Sequence, residues 1–338
     1  MLLKSEVFDY TYSQGGKSIK TLQYMATTKN RIIKAIKNPA AVLVGRIGYE
    51  NVKFIPDKTY LKIMYKYYMG RKLNLVKPES FNAKLQWLKL YDRKAIYTNM
   101  ADKVKAREIV KVKIGEKYLV PLIGIWNTSE EIDFNSLPEQ FVMKCNHNSG
   151  KGMCICQSKT DLDIEKTKAD LKAGLEENYY YSAREWPYKN IKRKIICEKY
   201  LSVGNGELLN DYKVLCFNGK PKLIELHKGR FSSHQTEDFY DTDWNKTDIS
   251  QYKSCGLPKS ESTEEKPSCL NEMLELSGKL AEGIPHLRVD WYVLNGKLYF
   301  GEMTFYDGAG FDAFDRYEDD LMLGSWIHLP DHDTLKKH

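Results

Sequence analysis

The sequence of 338 residues contains no run of about 18 apolar residues, the length that a membrane-spanning helix needs. Its first residues, MLLKSEVFDY, place an acid and polar residues where a secretory signal peptide would have its apolar stretch. These two absences exclude a helical membrane protein and predict a protein of the cytoplasm.

The cysteines lack the spacing patterns that would give them a structural role. The seven cysteines are odd in number, and no two of them form a CxxC pair. This spacing excludes the usual disulfide framework and the usual zinc module. We therefore expect reduced, mostly buried thiols.

The two commonest phosphate-binding loops are missing as well. No GxGxxG exists, and NSGKGM has the Gly-Lys of a Walker A loop but Cys145 where that loop has its first glycine. What remains is Lys144, predicted on a strand, followed by the small-residue loop 148–152. Backbone amides of such a loop can cradle phosphate oxygens, and a lysine beneath them can neutralise charge. A plain surface hairpin is the alternative interpretation.

Charge of both signs is present, but it is unevenly distributed. The chain carries 52 Lys and Arg against 45 Asp and Glu, a formal net charge of +7. Residues 1–77 hold fifteen of these cations and only four acids, so the rest of the chain is slightly acidic. Such a basic segment favours contact with an anionic polymer or with an anionic membrane face. A solvated surface is the alternative, and no nucleic-acid-binding module accompanies the charge.

Hydrophobic periodicity divides the chain into a helical and a mixed part. From residue 18 to about 93, apolar residues recur at spacings of three and four, as in amphipathic helices. Farther along, strand-like runs form hairpins, of which DYKVLCFNGKPKLIELHKG is the clearest. The stretch 231–270 is interpreted as a long excursion. Helices interleaved with antiparallel hairpins predict the α+β class rather than a doubly wound parallel sheet.

Residues 288–310, RVDWYVLNGKLYFGEMTFYDGAG, contain two strand-like segments joined by an Asn-Gly pair, and each segment carries an acid. Buried carboxylates are rare unless they are paired, hydrogen-bonded or bound to a metal. Asp290 and Glu302, together with phosphate oxygens, suit Mg²⁺, which prefers oxygen ligands in octahedral geometry. Arg288 lies two residues before Asp290 and therefore on the same strand face. An ordinary salt bridge between Arg288 and Glu302 at the sheet rim is the alternative.

Strand register decides whether the two acids meet. A two-residue turn at the Asn-Gly pair matches Leu294 with Lys297 and points Asp290 and Glu302 to opposite faces. A loop of odd length, or one β-bulge, returns both acids to one face. Because a metal site needs both carboxylates on one face, we expect the connection to differ from a plain two-residue turn.

Six segments, in order, resemble the TupA-like branch of the ATP-grasp superfamily, found in bacterial surface-polysaccharide and teichuronopeptide biosynthesis. They are FNAKLQWLKLYDR, LPEQFVMKCNHNSG, NYYYSAREWPYKNIK, IICEKYL, DYKVLCFNGKPK and RVDWYVLNGKLYFGEMTF. The resemblance covers roughly residues 60–330 and implies an ATP-grasp fold, in which two α+β subdomains clasp a nucleotide. The expected division is a basic helical N-terminal region (1–95), a pre-ATP-grasp segment (96–138), a subdomain with the phosphate loop and hinge (139–200) and a subdomain with the magnesium and catalytic strands (201–330).

The resemblance also implies which residues hold ATP. We expect the two phosphate-binding lysines to be Lys103 and Lys144, and the loop that closes over the phosphates to contain Ser149 and Gly150. The hinge contacts of the adenine are expected at Glu198, Lys199 and Leu201. The expected ribose contact is Glu207, and the acid expected to face the transferring phosphate is Asp211.

For the chemistry, the resemblance implies that Asp290 and Glu302 bind Mg²⁺ and that Arg288 steadies a reactive acyl phosphate. Lys213 is expected to act beside it, as the base in the acid-x-base pair of the DYK triplet. Most relatives have Asn two residues after the glutamate, whereas this chain has Thr304. A hydroxyl is a poorer Mg²⁺ ligand than an amide oxygen. If the site takes a second Mg²⁺, we therefore expect that ion to be held by Thr304, by water or by the two carboxylates alone.

Two arginines are candidates for binding the acidic substrate, because an anionic group has to dock beside the phosphates. Arg184 lies in SAREWPYKN and Arg230 lies in HKGRF. Ordinary surface charge is the alternative for both.

The implied activity is an ATP-dependent carboxylate–amine ligase that joins an amine co-substrate to a carboxylate, such as a uronic acid, through an acyl phosphate. Two alternatives stay open: a small-molecule or sugar kinase on the same fold, and a non-catalytic or glycosyltransferase-associated protein. The expected cofactors are ATP and Mg²⁺, and the expected partners include no nucleic acid. Through its basic N-terminal region the protein is expected to touch the inner membrane face peripherally.

Overall fold

The computed structural model describes residues 39–49, 51–204, 209–230, 232 and 234–331. Part of the predicted basic helical region, residues 1–38, and the predicted ribose contact Glu207 lie outside these residues. Within the described part, no helix is both long enough and apolar enough to cross a membrane. All seven cysteines are free thiols, as expected, and Cys255 is exposed.

Five α-helices precede the first strand in the described part of the chain. They are α1 (Pro39–Ile47), α2 (Asp57–Met69), α3 (Phe81–Tyr91), α4 (Ala95–Ala101) and α5 (Ala106–Lys113). At the start of α3, the Ser80 hydroxyl accepts a hydrogen bond from the Ala83 amide and satisfies one free donor of the helix end. α2 ends at Gly70, whose φ of 66° is left-handed and easy only for glycine. The helical pattern is confirmed for these residues.

Four antiparallel strands form the first sheet, in the spatial order β1-β4-β2-β3. They are β1 (Leu122–Trp126), β2 (Phe141–Cys145), β3 (Met153–Cys156) and β4 (Ile195–Lys199). One face packs against α6 (Ile164–Glu176), where Leu171 joins Phe141, Met143 and Ile195 in a buried cluster. Lys144 alternates with these buried residues of β2 and therefore lies on the opposite face.

Five antiparallel strands form the second sheet, in the spatial order β7-β6-β5-β8-β9. They are β5 (Asp211–Phe217), β6 (Lys220–Lys228), β7 (Thr236–Tyr240), β8 (His286–Leu294) and β9 (Lys297–Thr304). β7 lies inside the stretch 231–270, which was expected to be a long excursion, so that expectation is wrong for these residues. A five-residue strand among Ser, Thr and Lys carries too short an alternation to be recognised.

The second sheet has one apolar and one polar face. On the apolar face Trp291 packs against α9 (Leu270–Ala281) and donates a hydrogen bond from Nε1 to Ser277 Oγ at 2.8 Å. Trp291 is fully buried there. Lys213 pairs with Asp290 on one side and with Glu225 on the other, and antiparallel partners share a face. These three side chains therefore lie together on the polar face.

The connection between β8 and β9 is a plain two-residue turn at Asn295-Gly296, with Leu294 paired to Lys297. Both turn residues have positive φ, 52° and 72°, as a tight hairpin turn of this hand requires. The expectation that this connection differs from a plain turn is therefore wrong.

A β-bulge brings the two acids to one face instead. The register of β8 and β9 shifts by one residue between Val289 and Trp291, and beyond that point Arg288 pairs with Thr304. One extra residue in β9 reverses the facing of everything that follows it. Asp290 and Glu302 therefore share a face. Of the two possibilities, a loop of odd length and a β-bulge, the structure has the bulge.

The N-terminal helices are tied to the end of the chain. The amide of Asn82, in α3, donates to Asp320 Oδ1 of α10 (Tyr317–Trp326) at 2.9 Å. Lys84 Nζ donates to the carbonyl oxygens of Gly324 and Ile327, each at 2.8 Å. The remaining short helices are α7 (Tyr180–Ala183) and α8 (Tyr252–Cys255).

Helices and two antiparallel sheets confirm the α+β class. The division into four segments stays a prediction. β1 falls in the segment 96–138, yet it pairs with β4, so this segment contributes a strand to the first sheet.

Leu280 tests the packing between α9 and the second sheet. It is fully buried, so Leu280→Ala should lower the free energy of unfolding by about 2–5 kcal/mol, measured by urea titration. Val112→Ala is the matched control, because Val112 is 82% exposed and its truncation should change stability by less than about 0.5 kcal/mol. Equal losses in both variants would contradict the packing described here.

Candidate functional site

A cavity lies between the two sheets, and residues from both sheets line it. Eleven of the predicted site residues meet there. They are Lys103, Lys144, Ser149, Gly150, Glu198, Lys199, Leu201, Asp211, Arg230, Asp290 and Glu302. The fold thus gathers most of the predicted site from five separate strands and the loops beside them.

The cavity wall also contains apolar residues that sequence reasoning missed. They are Val120, Val142, Met153, Ile155, Leu209 and Tyr292. Val142 lies two residues before Lys144 on β2 and shares its face, so the period of two was the signal that pointed to it. This wall can hold a flat apolar ring beside the charged residues.

Lys144 and Glu198 form an ion pair across neighbouring strands, with Lys144 Nζ 2.9 Å from Glu198 Oε2. The other carboxylate oxygen of Glu198 lies 2.6 Å from Arg107 of α5, which also donates to the carbonyl oxygen of Val120. Arg107 was missed, although it lies only four residues after Lys103. Two cations hold the Glu198 carboxylate in a fixed position at the cavity edge.

The loop between β2 and β3 is held by asparagine side chains. Asn146 donates to Asp102 Oδ1 at 2.7 Å and accepts from the Lys194 amide at 2.7 Å. Asn148 donates to the Lys151 carbonyl oxygen at 3.0 Å, and Lys103 Nζ donates to the Asn148 carbonyl oxygen at 2.8 Å. These bonds anchor both ends of the loop around Ser149 and Gly150, which lie at the cavity.

Gly152 closes this loop at a place where only glycine fits. Its φ is 69°, and a Cβ there would lie 2.9 Å from Cα of Gly174 in α6. A larger residue would therefore clash with the helix backbone and push the loop away from it. The glycine therefore sets how close the loop lies to α6.

On the second sheet, Lys213 bridges two acids. Its Nζ lies 2.6 Å from Asp211 Oδ2 and 3.2 Å from Asp290 Oδ2. Burial raises the pKa of Asp211, but Lys213 and Arg230 outweigh burial and hold that pKa well below its usual value. Burial lowers the pKa of Lys213, yet Asp211 and Asp290 raise it above its usual value. Lys213 is therefore charged at neutral pH.

Arg288 is the second bridge, and its guanidinium reaches three acids. Nε donates to Asp290 Oδ1 at 2.8 Å and Nη2 to Asp290 Oδ2 at 2.7 Å, a bidentate pair. Nη1 donates to Asp307 Oδ1 at 2.6 Å, and Nη2 also lies 3.5 Å from Glu302 Oε1. Asp307 follows β9 in a short 3₁₀ turn and was missed by sequence reasoning.

Lys103 connects the two halves of the site. Its Nζ lies 3.4 Å from Glu302 Oε2, while its other contact is the loop carbonyl of Asn148. Burial raises the pKa of Glu302, but Lys103, Arg288 and neighbouring lysines outweigh burial and bring the pKa down to about 2. Glu302 is therefore ionised across the physiological range.

The donor set fits a magnesium ion. Asp290 and Glu302 offer only carboxylate oxygens, they share a face, and both line the cavity. Thr304 lies two residues farther along β9, and its buried Oγ1 has no hydrogen-bond partner among the described residues. Because this unpaired hydroxyl lies on the same strand face as Glu302, it can serve as a third, weaker ligand of the ion. Thr304 does not line the cavity itself.

The two predicted substrate arginines lie in very different places. Arg230 lines the cavity, its side chain is 40% exposed, and Nη1 lies 3.2 Å from Asp211 Oδ2. Arg184 is 0% exposed and lies outside the cavity, with its guanidinium 4.1 Å above the Tyr60 ring and 3.4 Å from Asp57. The prediction of a substrate contact at Arg184 is corrected, because a side chain enclosed in this way holds the helices together.

A comparison with protein families matches residues 83–328 to the family described as TupA-like ATPgrasp. This match covers most of the chain and includes every residue of the cavity wall. The chain belongs to the TupA-like ATP-grasp family. The ATP-grasp fold is thereby confirmed.

Solved structures of three ligases resemble this TupA-like protein only distantly. D-alanine–D-alanine ligase from Bacillus anthracis, complexed with ATP, is 18% identical with a TM-score of 0.37, over 68% of this chain and 60% of that one. The enzyme from Helicobacter pylori is 14% identical with a TM-score of 0.40, over 74% and 70%. The ATP-grasp ligase PsnB, complexed with a minimal precursor, is 11% identical with a TM-score of 0.35, over 76% and 67%. A search of curated protein sequences finds no match.

Lys144 tests the nucleotide site. Lys144→Met removes a positive charge from the cavity wall and should weaken binding of Mg-ATP at least about tenfold, measured by isothermal titration calorimetry. Lys172→Met, on the exposed side of α6, is the control and should leave the dissociation constant unchanged. If both variants bind Mg-ATP as tightly as the wild type, Lys144 does not contact the phosphates.

Glu302 tests the electrostatics of the site. Because its pKa is lowered to about 2 by the surrounding cations, its charge stabilises the fold above about pH 4.5, and this stabilisation is lost as the pH falls towards 2. The difference in Tm between the wild type and Glu302→Gln should therefore narrow from pH 6 to pH 3. The exposed Glu318→Gln is the control and should show no such narrowing. A difference that stays constant with pH would contradict the ion pairs described above.

Proposed function

We propose that this protein is an ATP-dependent carboxylate–amine ligase of bacterial surface-polysaccharide biosynthesis. One observation carries the proposal: Asp290 and Glu302 share a face at the cavity, and Lys103, Lys213 and Arg288 contact them within 3.5 Å. Cations and acids at this density suit a polyphosphate with its magnesium ion, because the cations are opposite in charge to the phosphates and the acids are opposite in charge to the ion.

In this proposal ATP lies between the two sheets. The adenine occupies the apolar wall of Val142 and Ile155, next to the backbone of Lys199 and Leu201. Lys144 and Lys103 exchange their carboxylate partners, Glu198 and Glu302, for phosphate oxygens. The amides around Gly150 then donate to the terminal phosphates, as small-residue loops do.

Asp290 and Glu302 are the residues that would hold Mg²⁺, which when bound screens the negative charge of the phosphates. Lys213 and Arg288 supply two fixed positive charges beside them. Lys213 is buried, the Arg288 side chain is only 12% exposed, and both are paired with acids, so they need no reorganisation when negative charge develops on a transferring phosphoryl group. A substrate carboxylate that takes the phosphoryl group would form its acyl phosphate here.

Arg230 supports an acidic substrate. It combines a place on the cavity wall with a 40% exposed side chain, so an incoming carboxylate can reach it. Its guanidinium can bind a carboxylate through two parallel hydrogen bonds. A uronic acid or a similar sugar acid fits this requirement, and an amine then attacks the activated carboxyl carbon to form the amide.

ADP release tests the activity directly. The purified protein with Mg-ATP should release ADP when both an acid and an amine are supplied from a panel of uronic acids, amino acids and amines. Asp290→Asn and Lys144→Ala should each reduce the rate to background, because one removes a magnesium ligand and the other a phosphate contact. Asp243→Asn, at an exposed turn, is the matched control and should retain full activity.

The same assay separates the proposal from its alternatives. Hydroxylamine captures an acyl phosphate as a hydroxamate, so ADP release without hydroxamate would indicate a kinase that phosphorylates a hydroxyl group. Turnover that survives in Asp290→Asn would refute the site itself. A protein that neither binds nor hydrolyses Mg-ATP would be the non-catalytic alternative.

A further inference from the structure

A second group of metal-ligating side chains lies on the outer part of the five-stranded sheet. Glu225 and His227 alternate on β6 and therefore share a face. Glu237 of β7 is the direct register partner of His227. The fold thus brings one imidazole and two carboxylates together from two neighbouring strands.

The three side chains converge closely enough for one ion. A potential ligand atom from each lies within 4.8 Å of the other two. His227 Nε2 lies 3.3 Å from Glu237 Oε2, and the same nitrogen contacts Glu225 Oε1. Glu225 and Glu237 are 4% and 5% exposed, so solvent screens them little. The second oxygen of Glu237 accepts a hydrogen bond from Cys255 Sγ at 3.6 Å, which helps to fix the carboxylate.

One atom in this group lacks a partner. Glu225 Oε2 is buried, and no hydrogen-bond donor of the described residues reaches it. Leaving a carboxylate oxygen buried and unpaired is costly, and buried charges in proteins are normally paired or bound to metals. This unpaired oxygen is evidence for a cation that is independent of the contacts within the group.

The group is separate from the magnesium carboxylates. β5 lies between β6 and β8, so Glu225 is two strands away from Asp290, roughly 10 Å at the usual strand spacing. Lys213 lies directly between them, paired in register with both acids. A cation at that position keeps a single ion from bridging the two groups.

We propose that Glu225, His227 and Glu237 bind a divalent transition-metal ion of the zinc and cobalt class, distinct from the magnesium that accompanies ATP. An imidazole nitrogen with two carboxylate oxygens suits these borderline ions better than Mg²⁺ or Ca²⁺, which prefer oxygen alone. Three protein ligands leave a further coordination position for water. The ion ties the edge strand β7 to β6, next to the polar face that carries the nucleotide site.

Cobalt and zinc binding test this proposal without reference to catalysis. The full chain is dialysed against EDTA and then kept in saturating MgCl₂, which occupies magnesium sites. Titration with Co²⁺ should produce a visible d–d absorption band that saturates at about one equivalent, and Zn²⁺ should abolish it by displacement. Zn²⁺ should also raise Tm, because the ion binds only the folded chain.

Conservative variants assign the ligands. His227→Gln and Glu237→Gln should each weaken Co²⁺ binding at least about tenfold, and Glu225→Gln should do the same, with folding checked by circular dichroism. His328→Gln removes an exposed histidine and Asp290→Asn removes a magnesium carboxylate; both should bind Co²⁺ like the wild type. A wild type that binds no Co²⁺ or Zn²⁺ under these conditions would overturn the proposal and leave an imidazolium held by two carboxylates. Binding that survives all three ligand variants would overturn it equally.

Discussion

The site depends on the two hydrogen bonds that Arg288 donates to Asp290, at 2.8 and 2.7 Å. Asp290, Glu302 and Asp307 lie close enough for one guanidinium to contact all three, and without that cation their charges would repel in a poorly solvated place. Lys213 and Lys103 reduce the remaining negative charge from either side. Asp290 and Asp307 can therefore be buried without unfolding the sheet around them.

This arrangement requires a sheet whose two faces have opposite character. On one face Trp291 packs against α9 and bonds to Ser277, while the neighbouring residue Asp290 points the other way. The period of two makes both possible within one strand. The bulge in β9 is the extra element, since it turns Glu302 to the face of Asp290 while Phe300 stays opposite Trp291. A rigid apolar platform therefore carries a charged surface with fixed spacing.

Much of the site could be predicted because its signals are local. An acid in a strand-like run, as at Asp290, and a lysine before a small-residue loop, as at Lys144, stand out against the pattern around them. Arg184 looked equally suitable as a charge, yet it is enclosed by Asp57 and Tyr60, residues more than a hundred positions earlier. The sequence around Arg184 does not show that distant parts of the chain bury its side chain.

Periodicity and turn residues were enough to indicate the α+β class, the hairpins and the pair of acids, because each depends on neighbours within a few residues. The bulge, the edge strand β7, the Arg107–Glu198 pair and the Glu225–His227–Glu237 group became visible only in three dimensions. Each of these depends on how strands far apart in the chain align, and that alignment follows from the packing of the whole core. Local pattern specifies which chemistry is available, and long-range packing decides which of those groups meet.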